Sequence, residues 1–115
     1  LLIADEGPCG VVGLYDVEWL QLRAELRIVI GGEGYRRLGL GTEAVRLMVR
    51  YGFLSLDLRR IWLGTAAGNA AARRCFARAG FREEGIRREE FLGPDGVASD
   101  NVMMAVLRNE WSETA

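Results

Sequence analysis

Glu25-Leu26-Arg27-Ile28-Val29-Ile30-Gly31-Gly32-Glu33-Gly34-Tyr35-Arg36-Arg37-Leu38-Gly39-Leu40-Gly41-Thr42 is the stretch from which the fold of this chain is read. Leu26, Ile28 and Ile30 recur at period two, with Val29 apolar on the other face, which is a strand pattern. Gly31, Gly32, Gly34, Gly39 and Gly41 punctuate the loop that follows. From Leu40 the spacing turns helical through Ala44, Leu47, Met48 and Tyr51, so a helix is expected over about 40–54.

The start of that helix lacks the usual chemistry. Helices open on Ser, Thr, Asp or Asn, whose side chains occupy the first backbone N–H groups. Here Leu38-Gly39-Leu40-Gly41 leads in, with no capping side chain before Thr42. Free N–H groups, the positive end of the helix dipole and the guanidiniums of Arg36 and Arg37 together suit a diphosphate. A glycine-rich turn with surface arginines accounts for the same residues. A Walker A loop needs a lysine, and the chain has none. A dinucleotide fingerprint follows its strand immediately, whereas Gly31 to Leu38 intervene here, and Arg60-Ile61-Trp62-Leu63-Gly64-Thr65 ends without an acidic residue.

The remaining segments fall into order around this unit. Residues 1–4, 11–19 and 24–30 read as three strands of an antiparallel meander, with turn chemistry at Glu6-Gly7-Pro8-Cys9-Gly10. Arg59 to Thr65 reads as a strand parallel to the third. Asn69 reads as the N-cap of a second helix and Gly80, followed by Phe81, as its C-terminal stop. Arg82–Phe91 and Ala98–Leu107 make a hairpin around Gly93-Pro94-Asp95-Gly96. The expected order is β-β-β-α-β-α-β-β in one α/β domain spanning residues 1–115.

The totals bound the function. With 115 residues, half of them apolar, the chain can bury roughly two-thirds of its unfolded surface. Fifteen basic residues against sixteen acidic leave no basic excess for a nucleic-acid face. Glu83-Glu84 and Glu89-Glu90 interleave with Arg82 and Arg87-Arg88, the pattern of a salt-bridged strand surface. Cys9 and Cys75 form no metal pattern and there is no histidine, so no metal is expected; the cysteines read as free thiols of a cytoplasmic protein, with a disulfide between them as the alternative. No apolar run approaches the length of a membrane span, and the start does not read as a signal peptide.

Arg36-x-x-Gly39-x-Gly41, then Asn69-x-x-Ala72, Ala79-Gly80-Phe81, Gly85-x-x-Arg88, Asp100-Asn101-Val102-Met103-Met104 and Leu107-Arg108-Asn109-Glu110-Trp111 form an ordered series. The series resembles the GNAT superfamily of N-acetyltransferases, in its RimJ/RimL-like branch, over nearly the whole chain. That resemblance implies a mixed, mostly antiparallel sheet and acetyl-CoA as co-substrate. It implies transfer of an acetyl group to a primary amine, on a peptide or on a small molecule such as a polyamine. The first strand and two helices that open the family's domain are absent here, which leaves open a fragment, a partner that supplies the acceptor surface, or a homodimer covering the exposed edge.

Carried onto this sequence, the resemblance places the pantetheine arm along Ile28, Val29 and Ile30. It places the diphosphate on Arg36, Arg37, Leu38, Gly39, Leu40, Gly41 and Thr42, with Asn69 and Arg73 as further contacts. Asn69 is also read as a plain N-cap, Arg73 as a solvated helix-face charge, and Ile28 and Ile30 as core. Many relatives hold a tyrosine proton donor where this chain has Phe76, four residues before Gly80; some use a glutamate where it has Gly64. Cys75 and Glu25 are the remaining candidates for acid and base, against the alternatives of a small buried cysteine and a carboxylate paired with Arg23 or Arg27. A site so equipped favours an easily deprotonated acceptor. At pH 7.5 an α-amine costs under about 1 kcal/mol to neutralise and a lysine-type amine about 4 kcal/mol. The competing class is a binding module of the same fold that holds acyl-CoA without turnover.

Overall fold

The computed structural model describes residues 2–4, 7–31 and 39–113. Strands β1 (Leu2–Ala4), β2 (Gly7–Glu18) and β3 (Arg23–Ile30) lead to helix α1 (Leu40–Leu54), strand β4 (Arg60–Ala66) and helix α2 (Ala70–Arg78). Strands β5 (Arg82–Leu92) and β6 (Ala98–Leu107) follow, with a short 3-10 turn at Arg108–Glu110. The expected order of elements is the observed one, and boundaries differ by at most a few residues.

All six strands form one sheet in the order β1-β2-β3-β4-β6-β5. The first three make an antiparallel meander, β4 lies parallel to β3, and β6 is antiparallel to both β4 and β5. The parallel step exists because α1 carries the chain back to the starting end of the sheet.

One face of the sheet carries the core. Ala24, Leu26, Ile61, Leu63, Val102, Met104 and Val106 present it, and Val45, Val49 and Phe53 of α1 with Phe76 and Ala79 of α2 pack on it. The buried stripe of α1 differs from the expected one. Ala44, Val45, Val49 and Phe53 are buried, whereas Leu47 and Tyr51 are 59% and 50% exposed. The helix is apolar around most of its girth, so helical spacing alone does not choose the face. The two valines and Phe53 join the buried core cluster, and the Phe53 ring lies 5.4 Å from that of Trp111.

Caps hold α2. Asn69 Oδ1 accepts from the Ala72 N–H at 3.1 Å. At the other end the Phe81 N–H reaches the Phe76 carbonyl and the Gly80 N–H reaches that of Ala77, with Gly80 at φ 103°. These are the two bonds of a Schellman stop, which needs a residue at ease with positive φ. The charged β5 surface is salt-bridged, but mostly to other elements: Glu83 pairs with Arg73, Glu84 with Arg60 and Arg82 with Glu110, and among the described residues only Arg87 with Glu90 pairs within the strand.

Two outcomes are expected. Phe53→Ala, at a 2% exposed site, should cost about 3–5 kcal/mol in urea unfolding, and Leu47→Ala no more than about 0.5 kcal/mol. The hydrogen bonds from Arg60 hold the Glu84 carboxyl below its ordinary range. The pair's contribution is therefore complete above the unfolded carboxylate pKa and is lost as pH falls through the depressed folded one. With Glu84 41% exposed, Glu84→Gln should lower stability at neutral pH by less than about 1 kcal/mol and flatten the acid limb of stability against pH.

Candidate active site

The site begins where two strands part. β3 and β4 pair through Arg23/Arg60, Ala24/Ile61 and Glu25/Trp62, and no further. Beyond Glu25, β3 continues against β2 alone, and beyond Trp62, β4 continues against β6 alone. Each diverging strand keeps alternate N–H and C=O groups turned away from its remaining neighbour. Between them lies a cleft of about 620 Å³ lined by Glu25 to Ile30 of β3, Leu63 to Thr65 of β4, Gly41 of α1, and Asn69, Ala71, Ala72, Cys75 and Phe76 around α2.

Helix α1 opens on this cleft. Its N-cap is Gly39, at φ 70°, and no side chain caps it. The first bond back into the helix is Glu43 N–H to the Gly39 carbonyl at 3.2 Å, so the N–H groups of Leu40, Gly41 and Thr42 precede the helix's own acceptors. A Cβ built on Gly41 would stand 3.4 Å from Ile30 Cδ1 and 3.6 Å from Cys75 Sγ. Glycine at 41 thus keeps open the narrow end of the cleft, where β3, α1 and α2 converge.

The structure brings most of the residues singled out in the sequence to this cleft and assigns several of their side chains to other work. Ile28, Val29 and Ile30 form its β3 wall. The Thr42 hydroxyl donates to Cys75 Sγ at 3.3 Å and so ties α1 to α2. Asn69 lines the cleft while its Oδ1 serves as the cap, leaving the amide NH2 without a partner among the described residues. Arg73 lies outside the lining; its guanidinium holds Glu83 and the Ala67 carbonyl. Phe76 is 8% exposed, with its ring against Phe81. Arg36, Arg37 and Leu38 lie outside the described residues.

The acid–base candidates are constrained. Glu25 reaches the cleft, but Arg27 donates to its Oε1 through Nε at 3.0 Å and Nη2 at 2.7 Å. Arg27 also reaches Asp16 and lies over the Tyr15 ring, 4.6 Å from its centroid. Hydrogen bonding to Glu25 strengthens the guanidinium's hold on its proton, so this partner stays charged. Cys75 carries a free thiol that accepts from Thr42. Among the described residues no group of three His, Cys, Asp or Glu side chains could hold a metal, and no helix is long and apolar enough to cross a membrane.

Of the opposite wall, sequence reasoning singled out Gly64 alone, as the place where some relatives carry a glutamate; Leu63 and Thr65 read simply as strand, because no local pattern marks them as facing the parted β3. Asn101, quoted in the ordered series but given no role, is 5% exposed with an Oδ1 that finds no donor among the described residues.

Comparison with known proteins agrees with this geometry. Residues 1–82 match the family described as acetyltransferase (GNAT) domain. The putative ribosomal N-acetyltransferase YdaF of Bacillus subtilis (strain 168) is 33% identical over 110 residues, covering 96% of this chain and 59% of the relative. Spermidine N(1)-acetyltransferase of Escherichia coli (strain K12) is 30% identical over 107 residues, 93% of this chain and 56% of the relative. The chain therefore spans less than 60% of the length of these relatives. The structure of spermidine N-acetyltransferase from Vibrio cholerae in complex with CoA and spermine superposes with a TM-score of 0.85 at 27% identity, over 94% of this chain and 63% of that one.

Asn69 fixes where α2 begins and hence where its cleft-lining residues stand. Asn69→Ala should lower stability by about 1 kcal/mol in urea unfolding, and Asn69→Asp, which keeps a capping oxygen, should restore most of it.

Proposed function

The chain belongs to the acetyltransferase (GNAT) domain family, and from that premise we propose that it binds acetyl-CoA in the cleft between β3 and β4 and transfers the acetyl group to a primary amine. The observation that carries this reading is the parting of β3 and β4 beside an uncapped helix start. The residues present suit the co-substrate. An extended amide-bearing arm can complete the unpaired backbone edge of β3, as a further strand would. The N–H groups at Leu40, Gly41 and Thr42 face an anion at the positive end of α1. Bound there, acetyl-CoA supplies an acyl thioester.

The chain's own part is chiefly positioning. The walls from Leu26 to Ile30 and Leu63 to Thr65 would hold the arm in place along its length. Backbone N–H groups of the parted strands are the donors available to a developing oxyanion. Phe76 has no proton to give to the leaving thiolate. A thiol of pKa about 8.5 leaves without help more readily than an alcohol, so solvent can supply the proton. A positioned acid is worth roughly 10²–10⁴ in rate, and this chain is expected to be slow by a factor of that order.

A second reading has its own support: Glu25 is held by Arg27, Phe76 replaces a proton donor and Gly64 offers no carboxylate. These residues suit a module that binds acyl-CoA without turnover.

Calorimetric titration with acetyl-CoA, beside Gly41→Val, separates the outcomes. The expected result is saturable binding, weakened at least tenfold in the variant because a branched side chain fills the space next to Ile30 and Cys75. Amine-dependent release of CoA, tried with a peptide α-amine and with a polyamine, then assigns the enzyme; binding without release assigns the module. A folded chain that ignores acetyl-CoA refutes both.

A further inference from the structure

Among the described residues one buried side-chain oxygen finds no partner in the fold. Asn101, on β6, is 5% exposed, and its Oδ1 accepts nothing from the protein. Its orientation is not free. Nδ2 donates to Glu90 Oε1 at 3.2 Å and approaches Met103 Sδ at 3.4 Å. A carboxylate can only accept, so the NH2 end of the amide must face Glu90 and the carbonyl end must face the other way. A buried carbonyl left unmatched costs about 1–3 kcal/mol, and a structural role alone does not explain keeping it.

Three features surround this amide. The first is Gly64, a cleft-lining residue of β4: a Cβ there would stand 2.6 Å from Asn101 Oδ1 and 2.7 Å from Nδ2. Glycine is thus what lets the amide rest against the cleft wall. The second is a bulge in β5. Pairing with β6 shifts register between Arg87 and Phe91, Glu89 adopts φ 52°, and its N–H is pinned by Asp100 Oδ1 at 2.8 Å. The bulge aims Glu90 at Asn101, and bulges are commonly used to re-aim a side chain in this way. The third is position. Register places Asn101 and Gly64 on the sheet face away from both helices, the face that also carries Glu25.

We propose that Asn101 is the residue that receives the acceptor: its Oδ1 takes an N–H from a primary amine entering on the face away from the helices, with Gly64 giving passage and Glu90 fixing the amide. This rests on the acetyl-transfer reading for the identity of the incoming group. A primary amine suits the oxygen because it can give one N–H to Oδ1 while its lone pair addresses the acyl carbon. A quaternary ammonium has neither an N–H nor a lone pair and can do neither. Asn101 positions the nucleophile and takes no proton from it.

The side-chain NH2 signals of Asn101, assigned by their loss in Asn101→Leu, report on this site directly. A short peptide amide with a free N-terminus and a linear diamine are the probes, with tetramethylammonium, which has no N–H, as the control. The expected result is a saturable shift with one or both primary amines and none with the control. Asn101→Leu should weaken amine binding about tenfold, or raise the amine KM by that factor, while leaving affinity for acetyl-CoA unchanged. Gly64→Ala should also weaken amine binding, by pushing the amide aside. Asn101→Leu removes an unmatched polar atom together with the bond to Glu90, which keeps Arg87 as a donor, and is expected to fold. Asn101 signals that stay fixed with both probes, or equal amine affinity in folded Asn101→Leu, overturn the proposal. Acetyl-CoA titration on the same samples reads the cleft separately: amine shifts without acetyl-CoA binding would sink the acetyl-transfer reading and uphold this subsite.

Discussion

The structure depends on a seam of three residue pairs. Arg23/Arg60, Ala24/Ile61 and Glu25/Trp62 are the strand pairing through which the β1-β2-β3 half of the sheet meets the β4-β6-β5 half. Its base is reinforced where the Arg59 N–H bonds the Leu22 carbonyl and the Arg59 guanidinium bonds that of Gln21. Were the pairing to continue to Ile30 and Ala66, the sheet would be uninterrupted and there would be no cleft. Were it shorter, only helix packing would join the halves. The depth of the cleft is set by where the seam stops.

Around that seam the chain keeps its side chains for structure and presents backbone to the opening. Leu26 and Leu63 turn into the core, Thr42 and Cys75 bond each other, Arg73 holds β5, and Arg27 holds Glu25. What remains on the cleft side is peptide groups and the start of α1. Such a site suits a long, regular, amide-rich ligand and asks little of side-chain identity beyond small residues at Gly41 and Gly64.

Much of the fold was legible in the sequence because its punctuation is strong. The change of period at Leu40, the Asn69 cap, the Gly80-Phe81 stop and the Gly93-Pro94-Asp95-Gly96 turn each act through local chemistry. The face of α1 was not legible: Val45, Val49, Leu47 and Tyr51 are all apolar, and only the neighbours in space decide which are buried. The cleft was half legible. Its β3 wall and helix start lie in one continuous stretch, whereas Leu63 to Thr65 join them through a tertiary relation. Asn69 could be read for its cap, but the partners of Thr42 and Arg73, thirty-three and ten residues away, left no local trace.

The seam has a thermodynamic consequence. A ligand lying along β3 adds backbone bonds where the sheet supplies none, and it does so only in the folded chain. Whatever binds the native state and not the unfolded one raises stability by RT ln(1 + [L]/Kd), about 2.7 kcal/mol at a hundredfold excess over Kd. The two halves of the sheet are then held together partly by the occupant, and the lifetime of the folded chain becomes a gauge of how much of that occupant its surroundings contain.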